Sequence, residues 1–290
     1  MTDETETNAE VVANEQAQPT SPSQPVLGQA PKEGGWDIAG WLILLLGGGA
    51  LLWGLIAAVG SGIGFWDWSL GLQWVRWSGY LALGVAALAL LLGWRARKTG
   101  AKPPRLRRWL GTLMSVAYLA WLMTYVVAGW SVPDIHDVST DLADPPEFRI
   151  LAVRADNWDR IPGAEDGDMK GLTPRQRWTV IHQRNYGDIR SVRIGQPVAD
   201  VIEKAERLAI DRGWDVVIAD PAQGRLEATE TSALFRFKED IVVRVRPTED
   251  GLGSLVDMRS VSRVGQNDQG TNAKRVRAFM ADLSGTVSPR

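Results

Sequence analysis

The fold class that this sequence predicts is a membrane α-helical bundle of three transmembrane helices followed by a C-terminal α+β domain, with an antiparallel sheet and helices on one face. Three observations predict it. Three long uncharged runs stand in the first 133 residues, eleven of the fourteen Trp lie between positions 36 and 130, and the chain beyond residue 146 is rich in Arg, Asp and Glu. A net charge of −2 and 45% hydrophobic residues describe neither half, because they average an apolar half with a polar one.

Residues 1–35 hold six acids against the single Lys32, with Pro19, Pro22, Pro25 and Pro31 among them. A segment with so little apolar surface cannot offset the entropy of ordering, so a disordered cytoplasmic tail is expected. It lacks the basic stretch that opens a secretory signal. Residues 38–66 contain no charge over 29 positions, more than the roughly 20 that cross a ~30 Å hydrocarbon layer. A second run, 77–94, is closed by Arg76 and Arg95, with Trp74, Trp77, Tyr80 and Trp94 placed as interfacial belts. The third covers 109–133. Spans are expected at about 38–60, 76–94 and 109–131, within a membrane region 36–132. No Asp, Glu, Lys, Arg or His lies inside the uncharged runs; such residues mark transport paths, so the bundle reads as an anchor. Ala50, Gly54, Ala58 and Gly62 recur every four residues and put a small-residue face on the first span, for a neighbour that spacing does not identify.

Orientation follows from the loops, since basic residues are retained on the cytoplasmic side. Residues 95–108 carry seven basic side chains and no acid, whereas the loop between the first two spans holds Asp67 alone before Arg76. The expected placement is a multi-pass protein of a bacterial inner (cytoplasmic) membrane, with its N-terminus cytoplasmic and its C-terminal domain periplasmic. Cysteine is absent, which excludes disulfides, thiolate metal sites and Cys nucleophiles.

A juxtamembrane linker is expected over 133–149, the periplasmic α+β domain over 150–284 and a flexible tail over 285–290. The apolar spacing of Val198, Val201, Ile202, Ala205, Leu208 and Ala209 predicts a helix over 197–212, stopped by Gly213. Strands follow at 214–219, 225–231, 234–237, 241–246 and 255–264, then a helix over 271–283 with Asn267 or Asp268 as cap. Helix, strands and helix in that order imply one sheet with its helices on one side.

Two candidate sites arise. Asp134, Asp137, Asp141, Asp144 and Glu147 crowd around His136, and such oxygen ligands suit a divalent cation, with His136, Asp137 and Asp141 as the cluster. The competing reading is a structured linker of Asx turns stiffened by Pro145 and Pro146. Second, strand alternation places Arg225, Arg236, Lys238, Arg244, Arg246, Arg259 and Arg263 on the outward face against Glu227 and Asp257. Cross-strand pairing and edge protection are one explanation. The other is an anion-binding surface for a lipid headgroup or wall polymer, since Arg forks fit phosphate and carboxylate. Nucleic acid is excluded as a partner because this face points away from the cytoplasm.

Three blocks, DIHDVSTDLADPPEF, FKEDIVVRVRP and RSVSRVGQNDQGTNAKRVRAF, occur in order and resemble the domain of unknown function family 1499 over about residues 133–284. Arg244, Arg246, Arg259, Ser260, Ser262, Arg263, Gly265, Asp268, Gly270, Asn272 and Arg275 match its pattern, while the polar Gln269 departs from the apolar residue expected there. The resemblance implies a membrane-associated or exported bacterial domain, also met in plastids, without an established reaction. On these positions Gly265 and Gly270 permit a turn, Asp268 caps the last helix and Asn272 satisfies loop backbone. Alternatively Arg259, Arg263 and Arg275 gather as an anion site beside a helix N-terminus.

Enzyme chemistry has little to draw on. His136 and His182 are the only histidines, so a three-His metal centre is impossible; Ser139, His136 and Asp141 remain as a triad for a periplasmic hydrolase, and 265–270 lacks the Lys of a nucleotide loop. The expected function is binding of an anionic envelope component or a membrane protein partner by the outer domain, without a cofactor. The alternatives are a structural subunit of a membrane complex and a hydrolase.

Overall fold

The computed structural model describes residues 34–101 and 105–285. Residues 1–33 and 286–290, expected as tails, and 102–104 of the basic loop lie outside the described residues. The chain opens with α1 (Gly34–Gly62), α2 (Trp68–Thr99) and α3 (Arg105–Trp130). Each is long and apolar enough to cross a membrane. α2 starts eight residues before the expected span. Arg76 ends an apolar run but does not stop a helix, and Asp67 caps this one by accepting the Ser69 N–H at 2.9 Å.

The small residues of α1 serve both neighbours. A side chain at Gly47 would strike the Gly111 carbonyl, and one at Gly111 would strike that of Ile43, so the backbones of α1 and α3 touch there. Gly54 seats the Tyr118 ring. The Tyr118 hydroxyl then shares a buried 2.6 Å hydrogen bond with Ser78 on α2, which ties all three helices together. At the far end Asp37 pairs with Arg107 at 2.5 Å.

The domain is a six-stranded antiparallel sheet. Its strands are β1 (Asp137–Ser139), β2 (Val192–Ile194), β3 (Asp215–Asp220), β4 (Arg225–Thr231), β5 (Lys238–Pro247) and β6 (Ser254–Ser262). The order is β1-β6-β5-β4-β3, with β2 pairing beside β1 on the same edge of β6. On one face Ile241, Val243, Val245, Val256, Met258, Leu226 and Ala228 form the core with α5 (Val198–Asp211) and α6 (Thr271–Ser284). Trp214 stacks on Phe279 at 5.0 Å within it. A further helix, α4 (Pro174–Tyr186), carries the buried Trp178, Ile181, His182 and Tyr186.

Three local expectations change. Residues 234–237 are a hairpin loop, because the β4–β5 ladder runs from Thr231↔Lys238 and leaves them beyond its last pair. The segment read as a linker supplies β1, whose Val138 is buried together with Ile135; its Asp and Pro content masked two core residues. α4 was not anticipated, although Thr173, Pro174 and Gln176 form a full capping box with Pro in the first turn.

The domain is seated on the end of the bundle formed by the α1–α2 loop and the C-terminus of α3, opposite the end where α2 closes at Thr99 and α3 begins at Arg105. A Cβ at Gly62 would lie 2.5 Å from the Ala233 carbonyl oxygen, so glycine is what admits the β4–β5 hairpin. Trp68 packs edge-on to Phe237 at 5.6 Å. On the other side Asn267 donates to the Asp134 carboxylate at 2.9 Å and to the Gly129 carbonyl at 3.2 Å.

Candidate functional site

The sheet face opposite the helices carries the arginines singled out from alternation, and it is covered around Arg225, Arg244 and Arg259 while Arg263 stays exposed. From residue 140 to 173 the chain has no regular helix or strand, and its first part lies across this face as a strap. The peptide groups that the strap turns onto the face need partners there, and the face supplies them. Glu227, fully buried, accepts the N–H groups of Arg149, Ile150 and Leu151 at 2.6, 2.9 and 2.8 Å. Guanidinium groups take the carbonyls: Arg225 that of Glu147, Arg244 that of Asp144 at 2.8 Å and Arg259 that of Pro146 at 3.3 Å. Further along, Arg177 of α4 holds the Ile161, Pro162 and Leu172 carbonyls. Several donors in one planar fork suit arginine to this work.

The same arginines are neutralised by carboxylates. Arg259 meets Asp137 in a bidentate pair of 2.9 and 2.6 Å, with the two side chains only 7% and 1% exposed. Arg263 forks onto Asp240 at 2.8 Å. Arg244 contacts Asp141, Asp144 and Asp257 at 3.2, 2.8 and 3.1 Å, and Arg246 reaches Asp257 at 2.8 Å. With Arg225 3.3 Å from Glu227 as well, the counted excess of seven basic residues over two acids disappears for five of them. Asp240 joins the face because β5 begins at Lys238, and Asp137, Asp141 and Asp144 arrive from β1 and the strap.

Arg275 belongs to the opposite face, so Arg259, Arg263 and Arg275 are not brought together. It pairs with Glu230 and donates to Ser260 Oγ at 3.1 Å. Around it Asn272 donates to the His136 carbonyl and to Ser262 Oγ, both at 2.9 Å. Ser262 donates to Glu239 at 2.5 Å. Burial raises the Glu239 carboxyl against the hydrogen bond from Ser262. Asp268 accepts from Gly270 N and Asn272 N, capping α6 from two residues upstream of its N-cap. Gln269 and Gly270 both take positive φ, 55° and 74°, which favours a polar residue or glycine in this turn.

The cation cluster and the triad are not assembled. Asp137 is committed to Arg259 and to the Asn157 amide, Asp141 to Arg244 and two strap N–H groups, and His136 Nε2 lies 3.1 Å from Asn157 Oδ1. Among the described residues no group of three or more His, Asp or Glu is arranged to hold a metal ion. Ser139 Oγ donates to the Asp141 carbonyl, and its N–H donates to His182 Nε2 at 3.2 Å. Trp158, Trp178, His182 and Tyr186 continue as a ladder of edge-on rings. Desolvation pushes His182 down to about 4 and Tyr186 up to about 12; these are core groups held neutral. An open groove of about 370 Å³ beside α4 presents Thr140, Thr179, Gln183 and Arg190, with no carboxylate in its lining.

Two cations of the original seven stay unpaired. Arg236 and Lys238 are exposed, without an ion-pair partner among the described residues. Both lie on the hairpin that touches the bundle, where Arg236, in a left-handed conformation at φ 54°, passes over Gly64.

With this geometry in place, the comparison with known families is specific. A family model described as "Protein of unknown function (DUF1499)" matches residues 137–283, just over half of the chain. The chain belongs to this family. No curated protein matches it with significance. The DUF1499 match opens on β1 and closes in α6, so the Asp137–Arg259 pair joins the first element of the DUF1499 region to its central sheet.

Proposed function

We propose that the protein is a multi-pass component of a bacterial inner membrane whose DUF1499 domain stands in the periplasm and binds an anionic envelope component, a lipid headgroup or a wall polymer, as a binding module and not as an enzyme. The orientation rests on the basic loop 95–108, which retention on the cytoplasmic side would hold inside, and on the domain's seat at the other end of the bundle. A periplasm-dependent reporter fused at residue 100 should stay silent while one fused after Arg290 is active; the reverse pattern refutes the orientation.

The observation that carries the binding reading is the contrast in charge pairing. Arg259, Arg263 and Arg275 pair with Asp137, Asp240 and Glu230, and Arg244 and Arg246 share Asp141, Asp144 and Asp257, while Arg236 and Lys238 have no carboxylate among the described residues and lie on the hairpin that meets the bundle. Cations beside an anionic surface contribute about 1 kcal/mol each, so removing both corresponds to roughly a thirtyfold loss of affinity. The test uses the full chain in phosphatidylcholine nanodiscs, titrated with phosphatidylglycerol or with soluble polyglycerol phosphate. R236Q/K238Q should weaken binding by about that factor. If R244Q/R246Q weakens it instead and the hairpin variant does not, the sheet face is the site.

A further inference from the structure

We infer that the β4–β5 hairpin tip is a fourth membrane contact: Ala233, Leu234 and Phe235 enter the outer leaflet beside the end of α1, with Arg236 and Lys238 at the level of the lipid phosphates. This rests on the preceding reading that the hairpin faces an anionic partner, and it deepens it by naming lipid over polymer.

The independent observation is apolar. Leu234 is 40% exposed at the tip, and the main chain on either side of it is bonded across the hairpin. Ser232 N–H donates to the Phe237 carbonyl, Arg236 N–H to the Ser232 carbonyl, and Phe237 N–H to Ser232 Oγ. These bonds close the neck of the hairpin, while the N–H groups of Ala233, Leu234 and Phe235 have no partner among the described residues, so the tip's backbone belongs at the hydrated headgroup level of the leaflet and not in its hydrocarbon. Its height is set by Gly62, against which the Ala233 and Leu234 carbonyls rest. At that same end Ile63 is 72%, Phe65 79% and Trp130 83% exposed. Large apolar side chains left bare at that end are what an apolar environment accommodates. The hairpin tip lies beside the α1 part of this end, where the Ala233 and Leu234 carbonyls meet Gly62. Charge complementarity points the same way, because the two unpaired cations follow the apolar tip directly in sequence, and long basic side chains reach headgroups while their stems stay in apolar surroundings. The strain recorded at Arg236, a non-glycine residue at φ 54°, is kept at this one bend and turns the chain from apolar tip to cationic flank.

The chain contains no cysteine, so single labels are unambiguous. Leu234→Cys, carrying an environment-sensitive dye, is placed in the full chain and reconstituted into vesicles of phosphatidylcholine and phosphatidylglycerol. Ala233→Cys is a second tip site in case the first variant fails to fold. Leu252→Cys is the reference: Leu252 is 75% exposed in the turn at the other end of the β5–β6 ladder, roughly 30 Å away along the strands. The tip dye should be blue-shifted and quenched several-fold by lipids with a quencher near the top of the acyl chain, and shielded from aqueous iodide; the Leu252 dye should show the reverse. A tip dye quenched by iodide as strongly as the reference overturns the inference, and so does one reached by neither quencher, which would place protein against the tip. Lipid quenching that is independent of phosphatidylglycerol, and unchanged in R236Q/K238Q, leaves immersion standing and removes the anion-binding reading. A wet tip with intact phosphatidylglycerol binding does the opposite.

Discussion

Two sets of cations in one domain have opposite fates. Those on the sheet face, whether buried like Arg259 or 40% exposed like Arg263, are matched by Asp137, Asp141, Asp144, Asp240 and Asp257; those at the hairpin, Arg236 and Lys238, stand clear of any carboxylate among the described residues. Residue type does not separate the two sets. What separates them is whether the fold brings a carboxylate within reach of them. A guanidinium that is buried must be paired, since leaving it bare costs several kcal/mol, whereas an exposed one is free to meet a ligand. An arginine is therefore a structural fastener where the fold supplies its carboxylate, and it keeps its charge uncompensated where, among the described residues, the fold does not.

The contrast is breakable by mutation, and the largest effect belongs to the fastened side. Asp137→Ala leaves Arg259 buried without its partner and should lower unfolding free energy by about 3–5 kcal/mol, read by denaturant titration of the purified protein. Glu227→Gln strips the strap's three N–H groups of their charged acceptor and falls in the same range. A loss of under about 1 kcal/mol in both means that the strap is loosely held and the face is open.

The next effect is on pH. His182 is depressed in the folded state, from 6.5 to about 4, first by burial. Its stabilising contribution is thus complete above the unfolded value and is lost as the pH falls from 6.5 towards 4, by about 3 kcal/mol at 1.36 per unit. Thermal unfolding across that window should show the slope, and His182→Gln, whose amide oxygen can still accept the Ser139 N–H, should flatten it. Glu239 and Asp268 have the opposite sign: burial raises both carboxyls, so their contribution is present in acid and lost as the pH rises.

Smaller again is the seat of the hairpin. Gly62→Val places a branched side chain against the Ala233 carbonyl and should cost about 1–3 kcal/mol through overpacking, with increased protease cleavage at the hairpin as its local signature. The smallest effect is the most discriminating. R236Q/K238Q should change stability by no more than about 0.5 kcal/mol while weakening anionic-lipid binding, and a destabilisation as large as that of Asp137→Ala would erase the distinction between the two sets.

How much of this was legible follows from how far apart the deciding residues are. A span declares itself in about 20 consecutive residues without charge, so α1, α2 and α3 could be read without knowing any neighbour. α5 and α6 showed through their apolar period, and the alternation of Ile241, Val243 and Val245 correctly set one sheet face against the other. Pairing could not be read this way. Arg244 and Asp144 are 100 residues apart, and Arg259 and Asp137 are 122 apart, so counting charges strand by strand left out the acids that matter most. The hairpin was mistaken for a strand because Leu234, Phe235 and Phe237 look like core residues; what they face depends on the bundle, which alternation does not sense.

The sequence by itself thus determined three apolar helices, a basic loop on one side of them and an antiparallel domain with a charged sheet face, because hydrophobic length, periodicity and loop charge are properties of contiguous residues. Only the tertiary structure decided which charges remain available. Folding joins the sheet-face cations to carboxylates from distant segments, and the seat on Gly62 leaves one short hairpin, its cations without a carboxylate among the described residues, at the end of the bundle.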